Sequence, residues 1–174
     1  MKRFVVFAIC GAMVLSFTAC GNSKEKPGEE SAHKTVAEDS VEQSNPRKEC
    51  KTLGEAEEIV QFKATVPTNI PEGYVEDSIY TIENNIIEVI YLNGENKIVF
   101  RQSKGKNDIS GDYNKYNEET KVNINGLEVN TKGNNGKVNV ATWTNGDFTF
   151  AINVNSSEEG IEENVITDMI NSIK

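Results

Sequence analysis

The sequence predicts an α+β domain: an antiparallel meander sheet of about seven strands, with N- and C-terminal helices packed on one face. Three observations predict it. Apolar residues recur at helical spacing only at the two ends of the region, over 52–62 and 157–173. Between those ends the apolar period is two. Four Asn-Gly pairs punctuate that stretch, and no segment offers the long crossover that parallel strands need.

The first helix opens on Thr52-Leu53-Gly54-Glu55, a T-x-x-E capping box in which side chain and backbone satisfy each other's free N–H groups. Leu53, Ala56, Ile59, Val60 and Phe62 supply its apolar stripe. Pro67 and Pro71 bar its continuation, because proline lacks the donor that a helix interior needs. Strands are then expected over 74–82, 86–92, 97–103, 121–125, 127–132, 137–143 and 147–154. The pairs Asn93-Gly94, Asn125-Gly126, Asn135-Gly136 and Asn145-Gly146 fall at their junctions. Asn-Gly accepts positive φ at both central positions, as a type I′ hairpin turn requires.

The alternation assigns faces. Val122, Ile124, Leu127, Val129, Val138, Val140, Phe148, Phe150, Ile152 and Val154 are expected to point inward. Asn123, Glu128, Asn130, Asn139, Thr149 and Asn153 are expected to point to solvent. Residues 86–91 (IIEVIY) are apolar on both sides, as a central strand would be. The chain closes with Ser156-Ser157-Glu158-Glu159, a helix N-cap followed by acids that suit the positive end of the helix dipole. Ile161, Val165, Ile166, Met169, Ile170 and Ile173 form the stripe that follows, and Gly160 weakens its start.

Upstream lies different material. Residues 21–51 contain no aromatic, Leu or Ile and cannot bury enough surface to fold, so 20–51 reads as a flexible tether and 52–174 as the single domain. His33, the only histidine, falls in the tether. Met1-Lys2-Arg3 and the apolar run 4–17 have the form of a signal peptide spanning 1–19. That run of 14 residues is shorter than the ~20 a membrane-spanning helix needs. The run ends in Phe17-Thr18-Ala19-Cys20, which resembles a bacterial lipobox, with Phe17 where Leu is usual. The resemblance implies that Cys20 is diacylated and begins the mature chain, facing the extracellular side of the cell membrane. Ordinary secretory cleavage near Ala19, with Cys20 incidental, is the competing reading. With Cys10 in the leader and Cys20 acylated, Cys50 stands alone as a spectator beside the domain start or a partner for another chain.

Charge excludes one class of partner. Without Lys2 and Arg3, sixteen basic residues face 27 acidic ones, a net charge of −11, which repels nucleic acid. A Ser-His-Asp arrangement needs a histidine that the domain lacks.

Asn45-Pro46, Glu49-Cys50, Thr52-Leu53-Gly54-Glu55-Ala56-Glu57-Glu58-Ile59 and Ile70-Pro71-Glu72-Gly73-Tyr74 resemble a family of uncharacterised extracytoplasmic domains of Gram-positive lipoproteins, domain of unknown function 4367. Arg101, the segment 108–114, Ala141-Thr142-Trp143 and the final helix extend the resemblance over most of 45–174. It implies an envelope domain without established catalysis and supplies no catalytic residues.

One connection is long for a hairpin. Residues 104–120 read KGKNDISGDYNKYNEET. Asp108, Ser110, Asp112 and Asn114 carry side-chain oxygens at alternate positions, and Glu119 follows, a spacing that a Ca²⁺ loop would use. Tyr113 occupies the place where such a loop needs Gly, and no helices flank it. The expectation is therefore a surface loop without metal or cofactor, held by Asx turns, with Tyr113 and Tyr116 packed down. A ligand or partner contact here would use Asp108, Ser110, Asp112, Tyr113, Asn114 and Tyr116. The leading reading is a lipid-anchored, non-catalytic binding or sensing module, meeting an envelope protein or extracellular ligand. An enzyme with a carboxylate site and a structural accessory lipoprotein are the alternatives.

The lipobox reading is tested by fractionation. The wild-type chain expressed in a Gram-positive bacterium is expected to sediment with membranes, and Cys20→Ala to be released; equal retention of both would refute the anchor.

Overall fold

Among residues 46–155 and 160–174, which the computed structural model describes, the chain forms nine strands and two helices in an antiparallel α+β fold. The leader, Cys20, His33 and the Ser156 and Ser157 helix start lie outside the described residues. The strands are β1 (Arg47–Cys50), β2 (Val75–Ile82), β3 (Ile86–Asn93), β4 (Asn96–Lys104), β5 (Glu118–Ile124), β6 (Leu127–Asn134), β7 (Lys137–Asn145), β8 (Phe148–Asn155) and β9 (Ile161–Glu162). The helices are α1 (Leu53–Val60) and α2 (Glu163–Asn171).

The sheet order is β1-β2-β3-β4-β8-β7-β6-β5, with β9 on β7. A single meander of about seven strands does not describe it. Two four-stranded meanders, β1–β4 and β5–β8, are joined by antiparallel pairing of β4 with β8. The connection from β4 to β5 must therefore pass β8, β7 and β6, about 19 Å at the usual strand spacing. The segment 105–117 does this.

Turn chemistry explains the hairpins and corrects part of the expectation. At Asn125-Gly126 and Asn135-Gly136 both residues have positive φ, as expected of type I′ turns. Asn93 and Asn145 instead end their strands, and Gly94 and Gly146 open the two-residue loops. Only the first loop position there needs positive φ. The β2–β3 hairpin carries no Asn-Gly; Glu83 and Asn84 take the positive φ values.

Inward residues of the strands make one core. Val89 pairs with Phe100, Phe100 with Ile152, and Ile152 with Ala141. Ala56 and Val60 of α1, and Ile166, Met169 and Ile170 of α2, join the same cluster. Trp143 stacks on Phe150 at 5.2 Å. Val140 departs from the expected inward set. A bulge between Lys132 and Gly133 inserts Asn139 into β7, so Val138 joins the core while Val140 pairs with the outward residues Asn153 and Lys132.

Both helix ends were partly legible. Thr52 Oγ1 accepts from Glu55 N at 3.2 Å, and Glu55 Oε2 accepts from Lys51 N at 2.9 Å, so the capping box closes one residue early. Helix 157–173 is shorter than expected. Gly160 has φ +112°, outside the helical region, and a Cβ there would meet the Val138 carbonyl oxygen at 2.8 Å. Ile161 and Glu162 then pair with Val138 and Lys137 before α2 begins.

The domain also begins earlier than 52. Arg47, Lys48, Glu49 and Cys50 pair with Ile82, Thr81, Tyr80 and Ile79, and Glu83 N donates to Pro46 O at 2.8 Å. Cys50 is 5% exposed in the core, not a spectator beside it. Burial, followed by the nearby Glu55 carboxylate, pushes its thiol pKa above the ordinary value.

Removing β1 should therefore matter. A chain starting at residue 52 is expected to melt at least about 10 °C below one starting at 46, since a loss of a few kcal/mol moves a domain this size by that much. Superimposable melting curves would show that β1 contributes nothing.

Candidate functional site

The site is built on a charge in the middle of an apolar strand. Glu88 lies between Ile87 and Val89 of β3, on the opposite side of the sheet from their core packing, and is 2% exposed. A buried carboxylate needs hydrogen-bonded counter-charges. Two arginines provide them. Glu88 Oε1 accepts from Arg47 Nε at 2.9 Å and Nη2 at 2.5 Å. Glu88 Oε2 accepts from Arg101 Nε at 2.7 Å and pairs with Arg101 Nη2 at 2.6 Å. The Arg47 guanidinium also lies 3.3 Å from the Tyr80 ring centroid, a cation–π contact.

Arg101 has donors to spare, and they hold the crossing loop. Its Nη1 donates to Ile109 O at 3.0 Å and Ser110 O at 2.6 Å. Asn153 Nδ2 of β8 donates to the same Ser110 carbonyl at 2.7 Å. The approach is close enough to require glycine next in the chain. Gly111 has φ +62°, and a Cβ there would meet Arg101 Nη1 at 2.5 Å. The loop thus crosses the polar face of the sheet, pinned over β4 and β8.

The alternate oxygens of the loop serve its own backbone. Asp108 Oδ1 accepts from Ser110 N at 2.8 Å, Ser110 Oγ from Asp112 N at 3.3 Å, and Asp112 Oδ1 from Asn114 N at 3.0 Å. These are successive Asx and Ser turns. Tyr116 donates its hydroxyl to Asp112 Oδ2 at 3.0 Å. Partial burial, with the Asp112 carboxylate adding to it, pushes the Tyr116 phenol above its ordinary pKa. Tyr113 corrects the expectation that both tyrosines pack down: it is 96% exposed. The turns fix its backbone and leave its ring outside. Among the described residues no three His, Cys, Asp or Glu side chains come together as a metal site.

The loop divides the polar face into two depressions. The larger, about 720 Å³, is lined by Lys106 and Asp108 of the loop and by Lys121, Glu128, Lys132 and Thr142 of the sheet, among others. Lys121 pairs with Glu128 at 2.7 Å, and Lys132 lies 4.0 Å from Glu119. Its charges balance. The smaller, about 520 Å³, lies along the 110–116 limb of the loop. Ser110, Asp112, Asn114 and Tyr116 face Lys97, Asn139 and Asn153 across it. The structure thus gathers four of the six expected contact residues at one cleft. Asp108 lines the other depression, and Tyr113 lines neither.

The sequence reading missed Glu88, Arg47, Asn139 and Asn153. Glu88 carried a signal, since a lone acid inside an apolar run demands a buried partner. Arg47 carried none, lying in a polar stretch without period. No family model, curated protein or solved structure matches this chain.

Arg101→Met should strand half of a buried carboxylate, release the Ile109 carbonyl and leave the Ser110 carbonyl to Asn153 alone. It is expected to cost about 3 kcal/mol in denaturant unfolding. Adding Glu88→Gln should restore part of that loss, because no uncompensated charge remains. Equal destabilisation by the single and the double variant would show that the charge is not what Arg101 satisfies.

Proposed function

We infer that this chain is a lipid-anchored extracytoplasmic binding or sensing module, working without catalysis, whose recognition surface is the crossing loop and the sheet face beside it. The observation that carries this reading is Tyr113. An aromatic ring exposed to 96% on a loop adds nothing to the core, yet its backbone is fixed by three side-chain turns and by Arg101. An exposed aromatic on a fixed backbone beside polar depressions is the form of a recognition anchor, because aromatic rings offer contact area at little entropic cost. Loops on a firm scaffold are also where binding residues concentrate.

The lipobox-like end of the leader supports the location. Acylated Cys20 would hold the domain at the membrane, and the polar residues between Cys20 and β1 would give it reach. Among the described residues no helix is long and apolar enough to cross a bilayer.

The test uses the Cys20→Ala chain, so that lipid insertion does not mask recognition, and washed Gram-positive cell envelopes. The chain is expected to co-sediment with them. Tyr113→Ser should weaken retention about tenfold or more at unchanged melting temperature, the loss typical of an interface anchor. Absent retention, or retention indifferent to Tyr113, would remove the loop from the function.

A further inference from the structure

The Asn-Gly pairs that turn the chain also carry a reaction of their own. Asparagine is a chemically labile residue, and a following glycine leaves the next backbone nitrogen unshielded by any side chain. That nitrogen attacks the asparagine Cγ and forms a succinimide. The side-chain nitrogen leaves as ammonia, taking up the proton that the glycine N–H gives up. Water then opens the ring at one of its two carbonyls, giving aspartate or isoaspartate. The sequence needs water alone, with no oxidant, reductant or cofactor.

Asn93-Gly94, Asn125-Gly126, Asn135-Gly136 and Asn145-Gly146 are all exposed, but the structure leaves them unequal. Gly126 N donates to Asn123 Oδ1 at 3.0 Å, and Asn125 Nδ2 donates to Asn171 Oδ1 at 2.7 Å. Gly136 N donates to Glu118 Oε2 at 2.9 Å. At both pairs the attacking nitrogen is engaged, and at the first so is the leaving group. At Asn93 the atom under attack is covered: its amide lies against the Gly73 backbone, where a Cβ would stand 3.2 Å from Asn93 Cγ and 2.7 Å from Nδ2.

Among the described residues, Asn145-Gly146 carries none of these restraints. Asn145 ends β7 and pairs with Phe148 across the two-residue turn. In such a turn the ladder closes between the flanking residues, so the Gly146 N–H stays outside it. The same hairpin also supports the origin of the crossing loop. Gly105 N donates to Asp147 O at 2.8 Å, and Thr149 Oγ1 donates to Gly105 O at 2.6 Å. Isoaspartate at position 145 would route the backbone through Cβ and Cγ, lengthening a turn that has no slack and displacing the Asp147 carbonyl.

We propose that Asn145 is the preferred site of spontaneous deamidation in the folded chain, and that its isoaspartate product releases the start of the crossing loop from Asp147. The inference holds whatever the loop recognises.

The experiment incubates the Cys20→Ala chain in mild alkali, where the attacking nitrogen loses its proton more readily. Trypsin places the four pairs on separate peptides, 64–97, 122–132, 133–137 and 138–174, and fragmentation mass spectrometry reads the conversion of amide to acid at each. Asn145 is expected to convert severalfold faster than Asn93, and faster still than Asn125 and Asn135. In denaturant the four rates should converge. Hydrogen-exchange protection of the Gly105 amide should fall in step with isoaspartate. Asn145→Gln closes the corresponding ring far more slowly, so it should keep Gly105 protected through the same incubation. Freshly prepared Asn145→Asp adds the charge without the extra backbone carbon and should also keep it. Conversion led by any other pair would overturn the proposal, as would an unreactive folded chain or the same order of rates in denaturant. Gly105 protection that survives full conversion, or is lost equally in Asn145→Asp, would sink the release of the loop. Should Asn145→Gln disturb the hairpin, the four wild-type peptides and the wild-type Gly105 amide still decide.

Discussion

The carboxylate of Glu88 is the constraint on which the polar side of this molecule depends. It is buried in β3, and its two oxygens divide between Arg47 of β1 and Arg101 of β4. Removing such a charge from water costs several kcal/mol, and the attraction of two guanidinium groups offsets that cost only in good geometry. The triad is therefore weak evidence for net stability. It fixes which residues of β1, β3 and β4 share a face, and it orients Arg101. Of the two arginines, Arg47 is the more open, with 37% of its side chain exposed against 19% for Arg101. Arg101 is the inner member, and its remaining nitrogen reaches the loop.

That reach solves a problem set by topology. Two meanders joined at β4 and β8 leave the chain on the wrong side of three strands when β4 ends. A connection of 105–117 could take many paths across a solvated face, since loop closure discriminates weakly among them. The Ser110 carbonyl is held at two points, by Arg101 and by Asn153, and Gly111 permits the contact. From that point the Asp108, Ser110 and Asp112 side chains define the loop outward in both directions. The chain of causes runs from a buried acid to an arginine, then to a carbonyl, and then to the exposed ring of Tyr113.

Legibility in the sequence follows how local each cause is. The period of two over 74–154, the Asn-Gly pairs and the Thr52 box act within a few residues, and each marked its element to within a few positions. β1 and β9 have no such signature. Arg47–Cys50 has no alternation and is a strand only because β2 offers an edge; Ile161–Glu162 is two residues long and exists because Gly160 returns the chain to β7. The Asn139 bulge was likewise invisible, as it reflects a mismatch between β6 and β7, not a preference of either. For the site, the loop and most of its lining were legible because alternate oxygens and tyrosines stand out in a long connection. Asn139 and Asn153 looked like ordinary solvated strand residues, and only the path of the loop over β8 makes them a cleft floor.

An outward sheet face must be polar if it is not covered, and here it is covered only along a strip. The two uncovered sides are not equivalent, although the same alternation generated both. On one side lysines and acids are interleaved across β5, β6 and the loop, and they answer one another in ion pairs such as Lys121 with Glu128. Such exposed pairs are worth little individually. On the other side the sheet offers asparagines, and the one acidic residue, Asp112, is committed to Asn114 and Tyr116. Ion pairs on the first side and asparagine amides on the second are different outcomes of one loop placement. The loop that Arg101 pins thus leaves lysines and acids interleaved on one flank and asparagines on the other.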